Sequence, residues 1–185
     1  MTAKVFGLLS GVILLLSASC GKDPLEPNML VPATVDDDPS LPAFEANGTR
    51  LHLETFGNPE HPTLIFLHGG PGTGDYRAFS RMLNSYNGYA LTDEYFLVMY
   101  DQRGAGLSRR YGDIAGANSH SIEELTLENY LKDLEAIVEE YSPGRKVILF
   151  GHSWGGMHAM MYVNKHPERV AGVILSEPGS FNAEI

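Results

Sequence analysis

Cysteine is almost absent from these 185 residues: Cys20 stands alone, so no internal disulfide can form. Basic residues are scarce. Thirteen Lys and Arg face 23 Asp and Glu, a formal net charge of −10, and no basic stripe is available to neutralise phosphates. Nucleic acid is thereby excluded as a partner. The apolar run at residues 5–16 falls short of the roughly 20 residues that a spanning helix needs. Internal repeats and a second domain are lacking. Asp36-Asp37-Asp38 lacks the spacing and the terminal glutamate of a calcium loop, and Gly104-Ala105-Gly106 lacks the third glycine and opening helix of a phosphate loop. Met157, Met160 and Met161 read as core packing, not as a metal or redox set. No cofactor and no metal are expected.

The most informative residues present are Gly151-His152-Ser153-Trp154-Gly155. They lie between an apolar strand at residues 146–150 and a helix-like stretch from Gly156. G-x-S-x-G between strand and helix is a turn so tight that the serine backbone is strained and its neighbours two away must be glycine. The hydroxyl then stands at a helix N-terminus, where developing negative charge is favoured. Ser153 is the candidate nucleophile for attack on a carbonyl. The bland alternative is a chance match.

Two further motifs follow apolar strands. Residues 63–67 lead into His68-Gly69-Gly70-Pro71-Gly72, a loop whose free amides suit an oxyanion hole; the alternative is an ordinary Gly-Pro turn. In the hydrolase arrangement one amide comes from the residue after the nucleophile, Trp154, and the other from this loop, with Gly70 the choice. Residues 95–100 lead into Asp101-Gln102-Arg103-Gly104-Ala105-Gly106-Leu107-Ser108. Here the expected role is structural, Asp101 and Arg103 pairing and bonding the loops that flank the nucleophile. His68 and His152 also read as structural.

HGGPG, DQRGAGLS and GHSWGG, in this order, resemble the proline iminopeptidase branch of the α/β-hydrolase superfamily, from about Leu41 to about Gly179. The resemblance implies an aminopeptidase with Ser153 as nucleophile, Gly70 and Trp154 giving the oxyanion amides, and His68, Gly69, Asp101, Arg103, Gly151 and Gly155 supporting the motifs. It also implies a small peptide or ester substrate. That branch often has Cys and Arg where this chain has Ala105 and Leu107, which leaves the fold untouched and the particular substrate less defined.

At the N-terminus, Lys4, the apolar run and Ser17-Ala18-Ser19 read as an export signal over residues 1–19. With Cys20 next, the segment resembles the lipobox of bacterial lipoproteins, which implies lipid attachment at Cys20 and a membrane-anchored, exported protein. The alternative is an incidental cysteine after an ordinary secretory signal. Residues 20–41, with Pro24, Pro27, Pro32, Pro39 and the acidic run, read as a solvated linker.

Residues 42–185 read as one α/β domain. Residues 43–56 suggest a hairpin about Asn47-Gly48, and helices are expected at 76–85, 123–141 and 156–165. Further strands fall at 63–67, 95–100, 146–150 and 170–175. Unbroken apolar strands alternating with helices imply a three-layer fold: a mostly parallel sheet with helices on both faces. In this fold the acid and the histidine follow the serine, yet after Ser153 the only histidines are His158 and His166, neither well placed. The expectation is the N-terminal portion of a larger hydrolase, truncated after about the sixth strand. The competing readings are an esterase or lipase-like hydrolase using the same serine, and a non-catalytic lipoprotein module that binds a partner.

Overall fold

The computed structural model describes residues 32–72, 74, 76, 77, 79, 91–112 and 120–180. The sheet opens with a hairpin, strand β1 (Ala43–Ala46) pairing antiparallel with β2 (Thr49–Phe56). Asn47 and Gly48 both have positive φ, 48° and 73°, as a two-residue hairpin turn demands. Strands β3 (Thr63–Leu67), β4 (Phe96–Tyr100), β5 (Val147–His152) and β6 (Val170–Ser176) follow. The spatial order is β1-β2-β4-β3-β5-β6, with β4, β3, β5 and β6 mutually parallel and β2 antiparallel to β4.

Every residue of β3 and β4 is buried, because both faces of the sheet are covered. Ile65, Leu67, Val98, Tyr100 and Leu149 face helices α1 (Leu127–Tyr141) and α2 (Trp154–Lys165), meeting Leu134, Ile137, Val138, Ala159 and Tyr162. The alternate residues Leu64, Phe66, Leu97 and Met99 pack on Tyr76 and Phe79. The sheet therefore lies between two apolar layers, as expected. Strand β6 is a terminal strand of the described sheet, and its Ile174 and Leu175 are exposed.

Boundaries moved where caps act. Helix α1 begins at Leu127 because the Thr126 hydroxyl accepts from the Asn129 amide at 3.2 Å. The expected start near Glu123 is a separate 3₁₀ turn, Ile122–Glu124. Leu127 is in the first turn of α1 and exposed. Met160, expected in the core, is also exposed, whereas Met161 packs on it. Of the helix expected at 76–85, Arg77 and Phe79 are helical and residues 78 and 80–85 lie outside the described residues. The export signal and Cys20 also lie outside them.

The linker reading extends too far. Thr34 and Val35 are buried, and the Val35 amide donates to the Leu107 carbonyl at 2.9 Å. Asp36 pairs with Arg109 at 2.8 Å and with Arg50 at 3.3 Å, and the Arg109 hydrogen bond above all holds its carboxyl below the usual range. Asp37 accepts from the Thr34 amide and hydroxyl. Asp36, which locally suggests solvation, is a partner of Arg50 and Arg109.

Candidate active site

Strand β5 ends at His152, helix α2 begins at Trp154, and Ser153 makes the corner with φ 52° and ψ −120°. A serine in such a conformation stores about 1–3 kcal/mol, and only an over-determined surrounding keeps it there. The restraints are visible. The Ser153 amide donates to the Ser176 carbonyl at 3.1 Å, and its own carbonyl accepts from Gly156, Met157 and Gly179. Close approach explains the flanking glycines: a Cβ at Gly151 would lie 2.4 Å from the Gly155 carbonyl oxygen, and one at Gly155 would lie 1.9 Å from that of Leu67. Although Ser153 occupies the N-cap position, its hydroxyl makes no capping bond. A serine there ordinarily spends its oxygen on the helix amides.

The loop after β3 runs directly against this corner. A Cβ on Gly69 would sit 3.2 Å from the Ser153 Cβ and 2.9 Å from His152 Nδ1. Gly70 follows with φ 62° and is half-buried, as is Trp154. The structure thus brings together Ser153, the helix N-terminus and the glycine loop that two of the motifs marked out.

His68 does not face the serine as a base. Its Nε2 accepts from the Gln102 amide at 2.9 Å, so Nδ1 carries the proton and donates to the Gly69 carbonyl at 2.9 Å. The ring is neutral and serves to brace the loop. Gln102 was missed by sequence reasoning except as a motif letter. Its carboxamide donates to the His68 carbonyl at 2.8 Å and accepts from the Trp154 indole at 3.0 Å, which links all three motifs.

Asp101 and Arg103 take different partners instead of pairing with each other. Asp101 is fully buried; it accepts from the Tyr76 and Leu107 amides at 2.9 and 2.8 Å and contacts His52 Nδ1 at 3.1 Å. Gly106, at φ 54°, allows the loop to wrap this carboxylate, since a Cβ there would lie 2.2 Å from it. Arg103 points the other way, to Asp133, Tyr111 and the Asn47 carbonyl. Residues two apart in one loop take partners from different parts of the chain, and a local sequence window cannot supply the distant partner. Asp101 bonds the Tyr76 and Leu107 amides, whereas Arg103 bonds helix α1 and the hairpin turn.

Four other histidines have contacts of their own. His152 is partly exposed, 3.8 Å from Glu177, with its ring edge on Phe79. His158 is fully buried, stacks on Trp154 and bonds the Tyr130 carbonyl at 3.2 Å; burial pushes its pKa down to about 4. His166 closes α2, stacked on Tyr162 between Glu135 and Glu168. His52 lies buried between Asp101 and Glu54.

The family model for the alpha/beta hydrolase fold matches residues 62–184. A proline iminopeptidase of Neisseria meningitidis serogroup A is 35% identical over 126 residues, covering 68% of this chain and 36% of that protein. The chain thus spans about a third of the length of the curated relatives it matches. Among solved structures, an epoxide hydrolase from Vigna radiata superposes with a TM-score of 0.62 at 23% identity, over 79% of this chain and 42% of that one. A proline iminopeptidase-related protein from Thermus thermophilus gives 0.59 at 25% identity, over 75% and 44%. By sequence, sheet order and the corner at Ser153 together, the chain belongs to the α/β-hydrolase fold family and resembles its proline iminopeptidase branch.

Proposed function

We propose that this protein is a serine hydrolase of proline iminopeptidase type, releasing the N-terminal residue of small peptides through an acyl-enzyme on Ser153. One observation carries the reading: Ser153 is held at φ 52° with its hydroxyl outside the helix cap, while the glycine loop after β3 lies against its Cβ. Similarity to proline iminopeptidases supports the choice of peptide substrate.

In this mechanism the Ser153 oxygen attacks the carbonyl carbon of the N-terminal residue. The carbonyl oxygen becomes an oxyanion and takes hydrogen bonds from the Gly70 and Trp154 amides, in the field of the α2 N-terminus. Collapse expels the amine of the shortened peptide, which takes up the proton given up by the Ser153 hydroxyl. Water then hydrolyses the ester left on Ser153 to the free residue and the restored hydroxyl. The steps require a general base, a role that the bonding described above gives to none of His52, His68, His158 and His166.

Labelling the whole protein with a fluorophosphonate and mapping the adduct tests the reading. The adduct is expected on Ser153. Ser153→Ala should lower turnover of a proline arylamide by several orders of magnitude. An adduct elsewhere, or undiminished turnover in the variant, rejects the proposal. Faster cleavage of p-nitrophenyl acetate than of the arylamide would favour an esterase.

The same proposal places the enzyme outside the cytoplasm, held at a bacterial membrane by acyl chains on Cys20. Lys4, the apolar residues 5–16 and Ser17-Ala18-Ser19 ahead of the cysteine support it.

A further inference from the structure

We propose that Gln102 is a positioning residue that sets the separation of the two oxyanion amides. The inference rests on the serine-hydrolase reading of Ser153. The two amides belong to distant pieces of chain, Gly70 after β3 and Trp154 at the start of α2. Their separation must be right to a fraction of an ångström, because donors act on the oxyanion only at hydrogen-bond distance.

One side chain ties these two pieces together. The Gln102 Nε2 donates to the carbonyl of His68, two residues before Gly70, at 2.8 Å. Its Oε1 accepts from the Trp154 indole, on the residue that gives the second amide, at 3.0 Å. The orientation of the carboxamide is unambiguous, since a carbonyl only accepts and an indole N–H only donates. The Gln102 backbone amide adds a third bond, to His68 Nε2, and His68 in turn bonds the Gly69 carbonyl. Gln102 is 1% exposed, so water does not compete for these bonds.

The chemistry of the position is narrow. Glutamate would still accept from the indole but would set a second acceptor against the His68 carbonyl. Leucine would satisfy neither end. Gln102 acts through the loops it joins, so its loss should weaken transition-state stabilisation more than ground-state binding.

The test uses the whole protein and a fluorophosphonate probe, whose phosphonyl oxygen occupies the oxyanion position as the Ser153 oxygen displaces fluoride. The maximal labelling rate and the half-saturating probe concentration are measured for wild type, Q102L, Q102E, W154F and Q102L/W154F, with thermal midpoints alongside. Q102L and Q102E should each slow maximal labelling roughly tenfold to a hundredfold, with the half-saturating concentration within about twofold. The pH profile of labelling should keep its midpoint, and the double variant should be no slower than the slower single one. Wild-type rates in both Gln102 variants would overturn the proposal. So would losses that appear only in the half-saturating concentration or follow a lowered thermal midpoint. If the Gln102 variants fail to fold, W154F keeps the backbone amide and decides alone: a wild-type rate there sinks the idea. Absence of labelling at Ser153 in wild type would instead reject the hydrolase reading on which the proposal stands.

Discussion

Arg103 grips Asp133 with two parallel hydrogen bonds, Nε to Oδ2 at 2.9 Å and Nη2 to Oδ1 at 2.7 Å, and both side chains are buried. The pair fastens the loop after β4 to helix α1. Burial pulls the guanidinium pKa down, but the carboxylate beside it prevails and holds it up. Burial raises the Asp133 carboxyl, against the pull of Arg103 and Asn47.

Removing either partner should therefore strand a buried charge. Asp133→Leu or Arg103→Met is expected to destabilise the whole protein by about 3–5 kcal/mol, whereas the double variant should recover most of that loss. Urea unfolding of the four proteins measures this. Additive losses would mean that the two residues act independently.

His158 predicts an acid sensitivity. Burial lowers its pKa to about 4 from an ordinary 6.5, so the folded state favours neutral imidazole. Its stabilising effect is complete above pH 6.5 and is lost as pH falls toward 4, at about 1.4 kcal/mol per pH step, because the unfolded chain takes the proton first. Melting midpoints from pH 7 to pH 4 should fall less steeply in His158→Gln than in wild type. Equal slopes would show that another group controls the acid limb.

Cys20 should carry lipid. Expressed in a bacterium, the protein is expected to incorporate labelled palmitate and to partition into detergent, and Cys20→Ala should lose both. A mutant that is still labelled, or a wild type released as a free species, contradicts the anchor.

Strand β6 leaves Ile174 and Leu175 exposed at a sheet edge, a template for pairing with another chain. Ile174→Lys with Leu175→Lys should raise the soluble fraction of the expressed protein. An unchanged soluble fraction in the double variant would count against this edge as the pairing surface.

Much of the fold was legible because its signals are local. Asn47-Gly48 announces the hairpin, and the apolar runs ending at Leu67, Tyr100 and Phe150 lie within a residue or two of the observed strand ends. The corner at Ser153 was legible because its glycines have no steric alternative. The partners of Asp101, Gln102 and Arg103 were not, because their separation in sequence says nothing about which way each side chain leaves the loop. The docking of residues 33–41 escaped for a related reason. Asp36 looks like any solvated aspartate until Arg109 is brought beside it by the fold.

The corner at Ser153 also separates what can be exchanged from what cannot. Its side chain leaves the turn without a capping bond, whereas Gly151 and Gly155 are hemmed in by backbone oxygens. The side chain at 153 is therefore not tied into the turn, but no side chain could replace either hydrogen. For a designer, the group at this corner is the part to vary, while the frame that presents it tolerates no revision.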